Sequence, residues 1–528
     1  FQAEDGIRDV ERSRGLGDVY KRQIPIMVKS ERCHLAGLSR EELISVGEDP
    51  NDPGGYFIIN GSERVIVALE DLAPNRIMVD VEEVGTSATY RAKIFSTTVG
   101  FRARIEVKMR ADRSLYVSIP GVVVDIPFVV LMKALGLEVD REIAEAVSPR
   151  PEIQQLLEAS FEKAQGIIKT RDAIVYIGNR VAFGHVEEYR IRKAENVLDR
   201  NFLPHLGRTP KSRIKKAYFL AEVVCKLIEL KLGWRKPDDK DHYANKRLRL
   251  AGDLLADLFR VTFRNLCRDM KYQLERTSLK RVGPAGAINA AVRPGIITER
   301  IQHALATGNW GRGKVGITQL LDRTNHVSML SHLRRLQSPL SRSQPNFEAR
   351  DLHATHWGRI CPNETPEGSN CGLVKNLALS ATISVGESFE RVRVLLRSLG
   401  VVDVEEASPE LRLKGARVFY DGHVGYVNDP EGLVKKIREL RRRNEISHEI
   451  NVALYEHRTG DIVIKEVYVN ADAGRIRRPL IIVENGKPKV TLEDLEKLKR
   501  GEVDWAFFLK NSMIELLDAD EEENAYIA

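Results

Sequence analysis

The stretch HWGRICPNETPEGSNCGLVKN, residues 356–376, combines groups that occur in three kinds of chemical site. Glu364 and Glu367 lie three positions apart and are candidates for a general acid/base pair. Cys361 and Cys371 are candidates for zinc ligands or for a thiol nucleophile. Composition alone leaves all three open, so the spacing and the rest of the chain must decide between them.

The spacing argues against a zinc site. Nine residues separate Cys361 from Cys371, whereas the paired cysteines of structural zinc sites are separated by about two to four. His353 and His356 form only an H-x-x-H pair on no predicted helix. The sequence therefore does not favour a bound metal in this stretch.

The two glutamates flank a rigid turn. Pro366 lies between them and forces the residue before it into an extended conformation. A stiff turn with two carboxylates can perform acid/base chemistry. The alternative, which the sequence favours, is that Glu364 and Glu367 bond loop amides or pair with Arg359 and Lys375.

Composition indicates a folded, charge-rich protein without a membrane segment. The chain has 528 residues, 43% of them apolar and 30% charged, with a formal net charge of +7. This length predicts about three to five domains. No apolar run is long enough to span a bilayer, and five cysteines without a C-x-x-C motif favour reduced thiols. We expect a cytoplasmic protein.

Residues 1–23 are set apart from the rest. FQAEDGIRDVERSRGLGDVYKRQ lacks a clear period and a signal-peptide layout, and it resembles the translation of a sequencing adapter. We interpret these residues as an artefact, and fold predictions begin at Ile24.

From Ile24 onward the pattern predicts an α+β multidomain protein. Asn60-Gly61 joins two β-rich runs, residues 56–59 and 64–69, which is typical of a hairpin. Short alternating runs predict strands over residues 77–124, and the pattern becomes helical over 138–169.

Two long helices are expected next. Thr209 and Pro210 resemble a helix cap and first-turn proline, and the apolar period then runs to Gly233. A second helix is predicted for residues 246–274. We interpret the polar residues 236–250 as a solvated loop, and the basic run 433–443 as a solvated helix face.

The stretch GNWGRGKV, residues 308–315, matches the first part of a phosphate-binding P-loop. Such a loop requires Ser or Thr after the lysine and a strand before the first glycine. Val315 supplies no oxygen, and the preceding residues are predicted to be helical. A nucleotide-hydrolysing P-loop is therefore the weakest interpretation.

Residues 309–359 form a basic segment within a nearly balanced chain. Three acidic residues accompany eight cationic ones, which are Arg312, Lys314, Arg323, Arg334, Arg335, Arg342, Arg350 and Arg359. Such an excess favours phosphate binding. No D-x-D-G-D or similar aspartate cluster is present in the sequence, so any metal for nucleotidyl transfer is expected on another chain.

The segment RDLHATHWGRICPNETPEGSNCGLVKNLAL, residues 350–379, closely resembles a signature of the second-largest subunit of multi-subunit DNA-directed RNA polymerases. The resemblance continues through GITQLLDRTNHVSMLSHLRRLQSPL, KDHYANKRLRLAGDLL and GGYFIINGSERVIV, in the family's order. Asn363 and Cys371 stand where bacterial versions usually have isoleucine, so the motif resembles archaeal or eukaryotic members. The absence of long insertions favours an archaeal source.

The resemblance implies a domain layout. Residues 24–71 and 201–279 correspond to a protrusion, with a lobe inserted at 72–200. Residues 285–380 correspond to a fork, 381–465 to a first external domain, and 466–528 to a second.

The resemblance also assigns roles to residues. Those near the nucleic acid or active centre, close to the rifamycin pocket of bacterial enzymes, are Gln319, Asp322, His332, Arg334, Arg335, Arg342 and Arg350. The loop at 341–349 is expected where downstream duplex separates. A structural fork loop is expected to contain Arg359, Glu364, Glu367 and Lys375.

By this resemblance the chain contains no catalytic residue and binds no cofactor, since Mg²⁺ belongs to the largest subunit. The expected partners are that subunit, the carboxyl-terminal part of the second-largest subunit, other polymerase subunits, DNA and the RNA–DNA hybrid. A naturally split subunit and a truncated reading frame are both compatible with the sequence. The rival interpretation is a non-catalytic nucleic-acid-binding module.

Overall fold

A computed structural model describes residues 24–84, 87–278, 291–293, 295–311 and 314–527. The segment interpreted as an adapter, residues 1–23, lies outside this range. The chain divides into two compact units. Unit 1 contains residues up to 71 together with 248–352 and 356–379, and unit 2 contains 72–247, 353–355 and 380–528.

Unit 1 combines small sheets with five helices among its described residues. A three-stranded sheet has the order Phe57–Ile59, Ser62–Ile66, Thr318–Leu320. A four-stranded sheet has the order Val374–Asn376, Arg335–Gln337, Ala68–Leu72, Lys246–Arg249, and Asn309–Gly311 pairs with Lys314–Val315 in a hairpin. The helices are Arg40–Val46, Ala251–Ser278, Gly295–Thr307, His326–Leu333 and Phe347–Arg350.

The predicted hairpin at Asn60-Gly61 is confirmed. Ile59 pairs with Ser62, so a two-residue loop joins the strands. Asn60 and Gly61 have φ values of 50° and 74°. Positive φ at both positions suits the right-handed twist of the strands, and asparagine and glycine tolerate it well.

Unit 2 contains two five-stranded sheets and one three-stranded sheet among its described residues. The first is an antiparallel meander of Met78–Val84, Ser87–Thr98, Phe101–Met109, Leu115–Ser118 and Ile126–Pro127. The second has the order Val402–Asp403, His423–Val427, Ala416–Tyr420, Ile462–Asn470, Asn451–Thr459. The three-stranded sheet contains Thr382–Ile383, Ile476–Ile481 and Ile514–Leu517, and Val483–Glu484 pairs with Lys487–Pro488.

Helices cover these sheets. Those of unit 2 are Phe128–Ala134, Asp140–Val147, Pro151–Gln155, Glu158–Glu162, Thr170–Val181, Glu187–Asn196, Arg213–Lys231, Phe389–Ser398, Pro409–Lys414, Pro430–Arg442, Leu492–Lys499, Trp505–Lys510 and Ala519–Glu523. Arg213–Lys231 is buried along most of its length, and its apolar residues join the main core of unit 2. The α+β multidomain prediction is confirmed, as are strands over 77–124 and helices within 138–169.

Four local predictions are wrong. Residues 236–250 are not a solvated loop throughout, since Tyr243, Ala244 and Asn245 are buried in a 3₁₀ turn. Residues 246–249 form a strand, and the second long helix begins only at Ala251. The side chain of Thr209 makes no cap bond, because a 3₁₀ turn, Pro210–Ser212, precedes the helix. The run 433–443 is not wholly solvated, since Arg441 is 1% exposed. The finer division into protrusion, lobe, fork and external domains stays a prediction.

In the part of the chain that the structure describes, no helix is long and apolar enough to cross a membrane.

Candidate nucleic-acid interface

The short helix His326–Leu333 organises three of the predicted site residues. Its first turn is capped by Asn325, whose side chain accepts the backbone N–H of Ser328 at 2.8 Å. In its last turn His332 is buried and accepts the backbone N–H of Asp322 at Nδ1, 3.1 Å away. Its Nε2 therefore bears the proton and donates to Gln319 Oε1 at 3.0 Å.

The structure thus brings Gln319, Asp322 and His332 together. Burial, assisted by the charge of Arg335, lowers the pKa of His332 below its ordinary value. A neutral, buried ring supplies no charge for a phosphate. His332 instead holds the strand Thr318–Leu320 and the turn at Asp322 against the helix.

Asp322 itself is half-buried and remains ionised. Its carboxylate accepts the backbone N–H of Thr324 at 2.9 Å, and hydrogen bonds from Thr324 lower its pKa. The neighbouring Arg323 is neutralised within unit 1, because its guanidinium lies 2.8 Å from Asp52 and 2.7 Å from Glu63. Arg323 therefore adds little to the basic excess counted from the sequence.

Two predicted arginines have guanidinium groups without a hydrogen bond or ion pair to any described residue. Arg335 lies on the strand Arg335–Gln337 and is half-buried, and Arg342 is exposed in the loop that follows. The adjacent Arg334 differs, since it donates to the carbonyls of Ala378 and Leu379. The charges of Arg335 and Arg342 are thus not neutralised by an ion pair with a described residue.

Arg350 stabilises the neighbouring loops through hydrogen bonds to backbone carbonyls. Its Nη1 donates to the carbonyls of Ser369 and Cys371, both at 2.8 Å, and its Nη2 donates to the carbonyl of Arg342 at 3.2 Å. Gly372 lies close to the backbone of Arg350: its φ is +72°, and a Cβ there would lie 2.3 Å from the carbonyl oxygen of Arg350. No larger residue fits that position.

The loop of residues 359–376, predicted to be a fork loop and called the fork loop below, is anchored by buried charges. Lys375 Nζ lies 3.2 and 3.3 Å from the two carboxylate oxygens of Glu70, and both side chains are buried. Arg359 is 1% exposed, and its carbonyl accepts the backbone N–H of Ala378 at 2.8 Å. Sequence reasoning missed Glu70, since it lies some 300 positions away.

Glu364 and Glu367 have different surroundings. The carboxylate of Glu364 accepts the hydroxyl of Ser331, which ties the fork loop to the helix His326–Leu333. Thr365 stabilises the loop internally, since its hydroxyl donates to the carbonyl of Val374 at 3.0 Å and accepts the N–H of Gly372 at 2.9 Å. Glu367 is exposed at the start of the 3₁₀ turn Gly368–Asn370. This arrangement suits loop support better than proton transfer.

The described residues do not form a zinc site or a P-loop, the other sites considered from the sequence. All five cysteines are free, and no group of three or more potential metal ligands occurs among the described residues. The P-loop resemblance leads to a hairpin, Asn309–Gly311 with Lys314–Val315, preceded by the helix Gly295–Thr307. Residues 312–313 of that motif lie outside the described range. A helix followed by a hairpin is not the strand–loop–helix order of a P-loop.

The chain matches three protein-family models of RNA polymerase Rpb2: domain 2 over residues 71–249, domain 3 over 319–383 and domain 4 over 418–484. All predicted site residues fall within the domain 3 match. Fold and site therefore define a second-largest subunit of a multi-subunit RNA polymerase.

Curated relatives narrow this assignment. The chain is 54% identical to DNA-directed RNA polymerase subunit Rpo2 of Saccharolobus shibatae over 97% of its own length and 46% of that protein. It is 50% identical to subunit Rpo2N of Methanococcus vannielii, over 75% of this chain and 80% of that protein. The chain is also 49% identical to subunit Rpo2N of Halobacterium salinarum, over 74% of this chain and 75% of that protein.

The chain belongs to the family of archaeal DNA-directed RNA polymerase subunits Rpo2 and Rpo2N, in its amino-terminal part. It spans about half the length of the Rpo2 relatives and most of the length of the Rpo2N relatives.

Proposed function

We propose that this chain lines the nucleic-acid path of an archaeal-type DNA-directed RNA polymerase and supports template-directed RNA synthesis from nucleoside triphosphates. The observation that carries the proposal is a pair of cations, Arg335 and Arg342, on a platform fixed by buried or backbone-bound charges. Arginines without carboxylate partners neutralise phosphates and do not select sequence. A polymerase that copies any template requires such contacts.

The proposed division of labour takes its roles from the family resemblance, and the hydrogen bonds of His332 support one part of it. Arg335 contacts the RNA–DNA hybrid, while Gln319 and Asp322 are held near it by the neutral imidazole. Arg342 contacts DNA where the downstream duplex separates. Arg350, Arg359, Glu364, Glu367 and Lys375 keep the loops in place, and Arg334 does so through the carbonyls at 378 and 379.

The catalytic metal is proposed to lie on another chain. Two-metal nucleotidyl transfer uses closely spaced carboxylates to hold Mg²⁺, and the largest subunit is proposed to supply them. The carboxyl-terminal part of the second-largest subunit and the other polymerase subunits are the remaining proposed partners, and the cytoplasm is the proposed location.

Reconstitution tests the proposal. The complete set of partner subunits is assembled with and without this chain, and Mg²⁺-dependent incorporation of nucleotides is measured on a DNA template. RNA synthesis is expected only from the assembly that contains the chain, and none from the chain alone. Synthesis by the isolated chain, or full activity without it, contradicts the proposal, and the second result favours an accessory nucleic-acid-binding module.

A further inference from the structure

Unit 2 contains a cavity that the site above does not use. Its volume is about 280 Å³, and its wall includes Ser148, Arg150, residues 412–417 and Lys465. Pockets for small molecules usually have volumes of roughly 300–1,000 Å³. The cavity is therefore of a size that suits a small ligand.

Cations dominate the charged residues of this wall. They are Arg150, Arg412, Lys414, Arg417 and Lys465, against one acidic residue, Glu229. The charge of Arg417 is cancelled, because its guanidinium lies 2.7 Å from Glu229 and 2.9 Å from Glu466. Four cations remain to be accounted for.

The two lysines have weak ion pairs. Lys414 lies 2.9 Å from Glu410, and Lys465 lies 2.9 Å from Glu431. Both glutamates are exposed, with 76% and 70% of their side-chain surface accessible. Because exposed pairs contribute little free energy, the two lysines can turn to another anion at small cost.

Arg412 is held by backbone carbonyls. Its Nη1 donates to the carbonyl of Ala146 at 3.2 Å, and its Nη2 donates to that of Val404. Its Nε is buried and has no hydrogen-bond partner in the part of the chain that the structure describes. Carbonyls orient the guanidinium without cancelling its charge, so Arg412 brings an intact positive charge to the wall.

Arg150 likewise has no carboxylate partner among the described residues. It is half-buried, and its guanidinium carbon lies 5.8 Å from the centre of the Trp234 ring. Ser148 and Asn428 add a hydroxyl and an amide to the same wall. The cavity thus combines two uncancelled arginine charges with neutral donors, a combination that is complementary to an oxyanion.

We propose that this cavity binds a small phosphate-bearing anion, either free phosphate or the phosphate group of a small ester. The residues that define this anion pocket are Arg150, Arg412, Lys414 and Lys465. A phosphate group carries a charge of about −1.5 to −2 at pH 7, which matches two arginines better than a single carboxylate does. The planar guanidinium binds phosphate oxygens in a fixed geometry, and the lysines add point charges. This ligand site lies outside the proposed function, which assigns no role to these residues.

A matched pair of variants of the full chain tests the pocket. R150Q removes a cation of its wall. R180Q is the control, because Arg180 is also half-buried in unit 2, lies 3.7 Å from the centre of the Tyr176 ring and does not line the cavity. Thermal unfolding establishes that both variants are folded.

Calorimetric titration at low ionic strength measures the binding of orthophosphate and of ribose 5-phosphate, with ribose as the uncharged control. R150Q should bind both phosphates about tenfold more weakly than the parent, since a charge-assisted hydrogen bond is lost. R180Q should bind as the parent does, and R150K, which keeps the charge, should lose less than R150Q. Tighter binding of ribose 5-phosphate identifies a phosphate ester as the ligand, and equal affinities identify free phosphate.

Three results overturn the proposal. The first is that neither phosphate binds the parent saturably. The second is an equal affinity of R150Q and the parent, or an equal loss for R150Q and R180Q. The third is binding of a glutamate peptide that R150Q weakens, without phosphate binding, which assigns the cavity to an acidic protein segment. These titrations measure no RNA synthesis, so their outcome is independent of the reconstitution experiment.

Discussion

Arginines of the two units have different partners. In unit 1 Arg350 donates to backbone carbonyls, and Arg335 and Arg342 have no hydrogen bond or ion pair to a described residue, although Arg323 pairs with Asp52 and Glu63. In unit 2 buried arginines meet carboxylates: Arg441 lies 2.8 Å from Glu515 and 2.7 Å from Glu521. A carbonyl leaves the positive charge available to a ligand, whereas a carboxylate cancels it. The number of arginines in a segment therefore says little about binding until their partners are known.

A second cluster in unit 2 makes the same point. Arg417 lies 2.7 Å from Glu229 and 2.9 Å from Glu466, and Arg235 lies 3.1 Å from Glu466. Burial alone would raise the pKa of Glu466, but the charges of Arg235, Lys226 and Arg417 hold it well below its ordinary value. The strand Ile462–Asn470 is thereby joined to the helix Arg213–Lys231 through buried charges.

The largest effect is expected from breaking a buried pair in unit 2. Arg441→Met leaves Glu515 and Glu521 buried without that arginine, and the free energy of unfolding should fall by about 3 to 5 kcal/mol. Arg442→Met is the control, because Arg442 also pairs with Glu515 but its side chain is 44% exposed. Its loss should cost at most about 1 kcal/mol. Urea unfolding of the two variants measures both losses of unfolding free energy. Equal losses would contradict the expected difference between the buried Arg441 and the partly exposed Arg442.

Acid should weaken unit 2 through two buried histidines. Burial lowers the pKa of His205 to about 3 and that of His423 to about 4, against an ordinary value of 6.5. Below pH 6.5 the unfolded chain takes up protons that the folded chain refuses, so this stability is present above 6.5 and is lost as the pH falls. The loss is about 2 kcal/mol per histidine by about pH 5.

The variant His205→Gln isolates one contribution. Its stability should fall less steeply than that of the parent between pH 6.5 and about pH 5. Urea unfolding at several pH values gives both slopes, and identical slopes would show that His205 takes up protons in the folded state.

In unit 1 a smaller effect is expected at the loop clamp. Arg350→Ala removes three hydrogen bonds to the carbonyls of Arg342, Ser369 and Cys371. Local stability should fall by about 1 to 2 kcal/mol, because exposed carbonyls regain water. Hydrogen exchange of the amides at 369–373 should accelerate, whereas Arg342→Ala, which keeps the carbonyl, should leave their exchange unchanged. No acceleration would argue against a clamp.

The smallest effect is expected at the proposed phosphate contacts. Arg335→Ala and Arg342→Ala should each reduce the salt slope of nucleic-acid binding by about 0.9, the value for one phosphate. Arg500→Ala is the control, because Arg500 is exposed in unit 2 beside Glu496. Anisotropy titrations of the full chain against salt measure the slopes, and a decrease as large for Arg500→Ala would remove the distinction between the units.

Local chemistry was predictable from the sequence. The turn at Asn60-Gly61 requires positive φ at both residues, and few other pairs of residues supply it. The end of the first long helix at Gly233 was equally predictable, since its φ is 75°. The strand Lys246–Arg249 was missed because its charged residues resemble a helix start, while its place in the sheet depends on Ala68–Leu72, far away in sequence.

The candidate site shows the same limit. The sequence predicted a structural loop with Arg359, Glu364, Glu367 and Lys375 but not the partners of these residues, since Glu70 and Ser331 carry no local signal that links them to Lys375 and Glu364. Arg441 was misjudged for the same reason, because its position in a basic run resembles a solvated face. Long-range ion pairs are set by tertiary packing, and one sequence does not display them.

The helix Ala519–Glu523 and the residue before it determine when unit 2 can finish folding during translation. Asp518, Asp520 and Glu521 are buried and lie against Arg475, Arg76 and Arg441, respectively. On the ribosome these arginines emerge well before the carboxylates that neutralise them. Unit 2 can therefore close this part of its interior only after residue 521 has left the exit tunnel, so its final packing follows the translation of the segment instead of accompanying it.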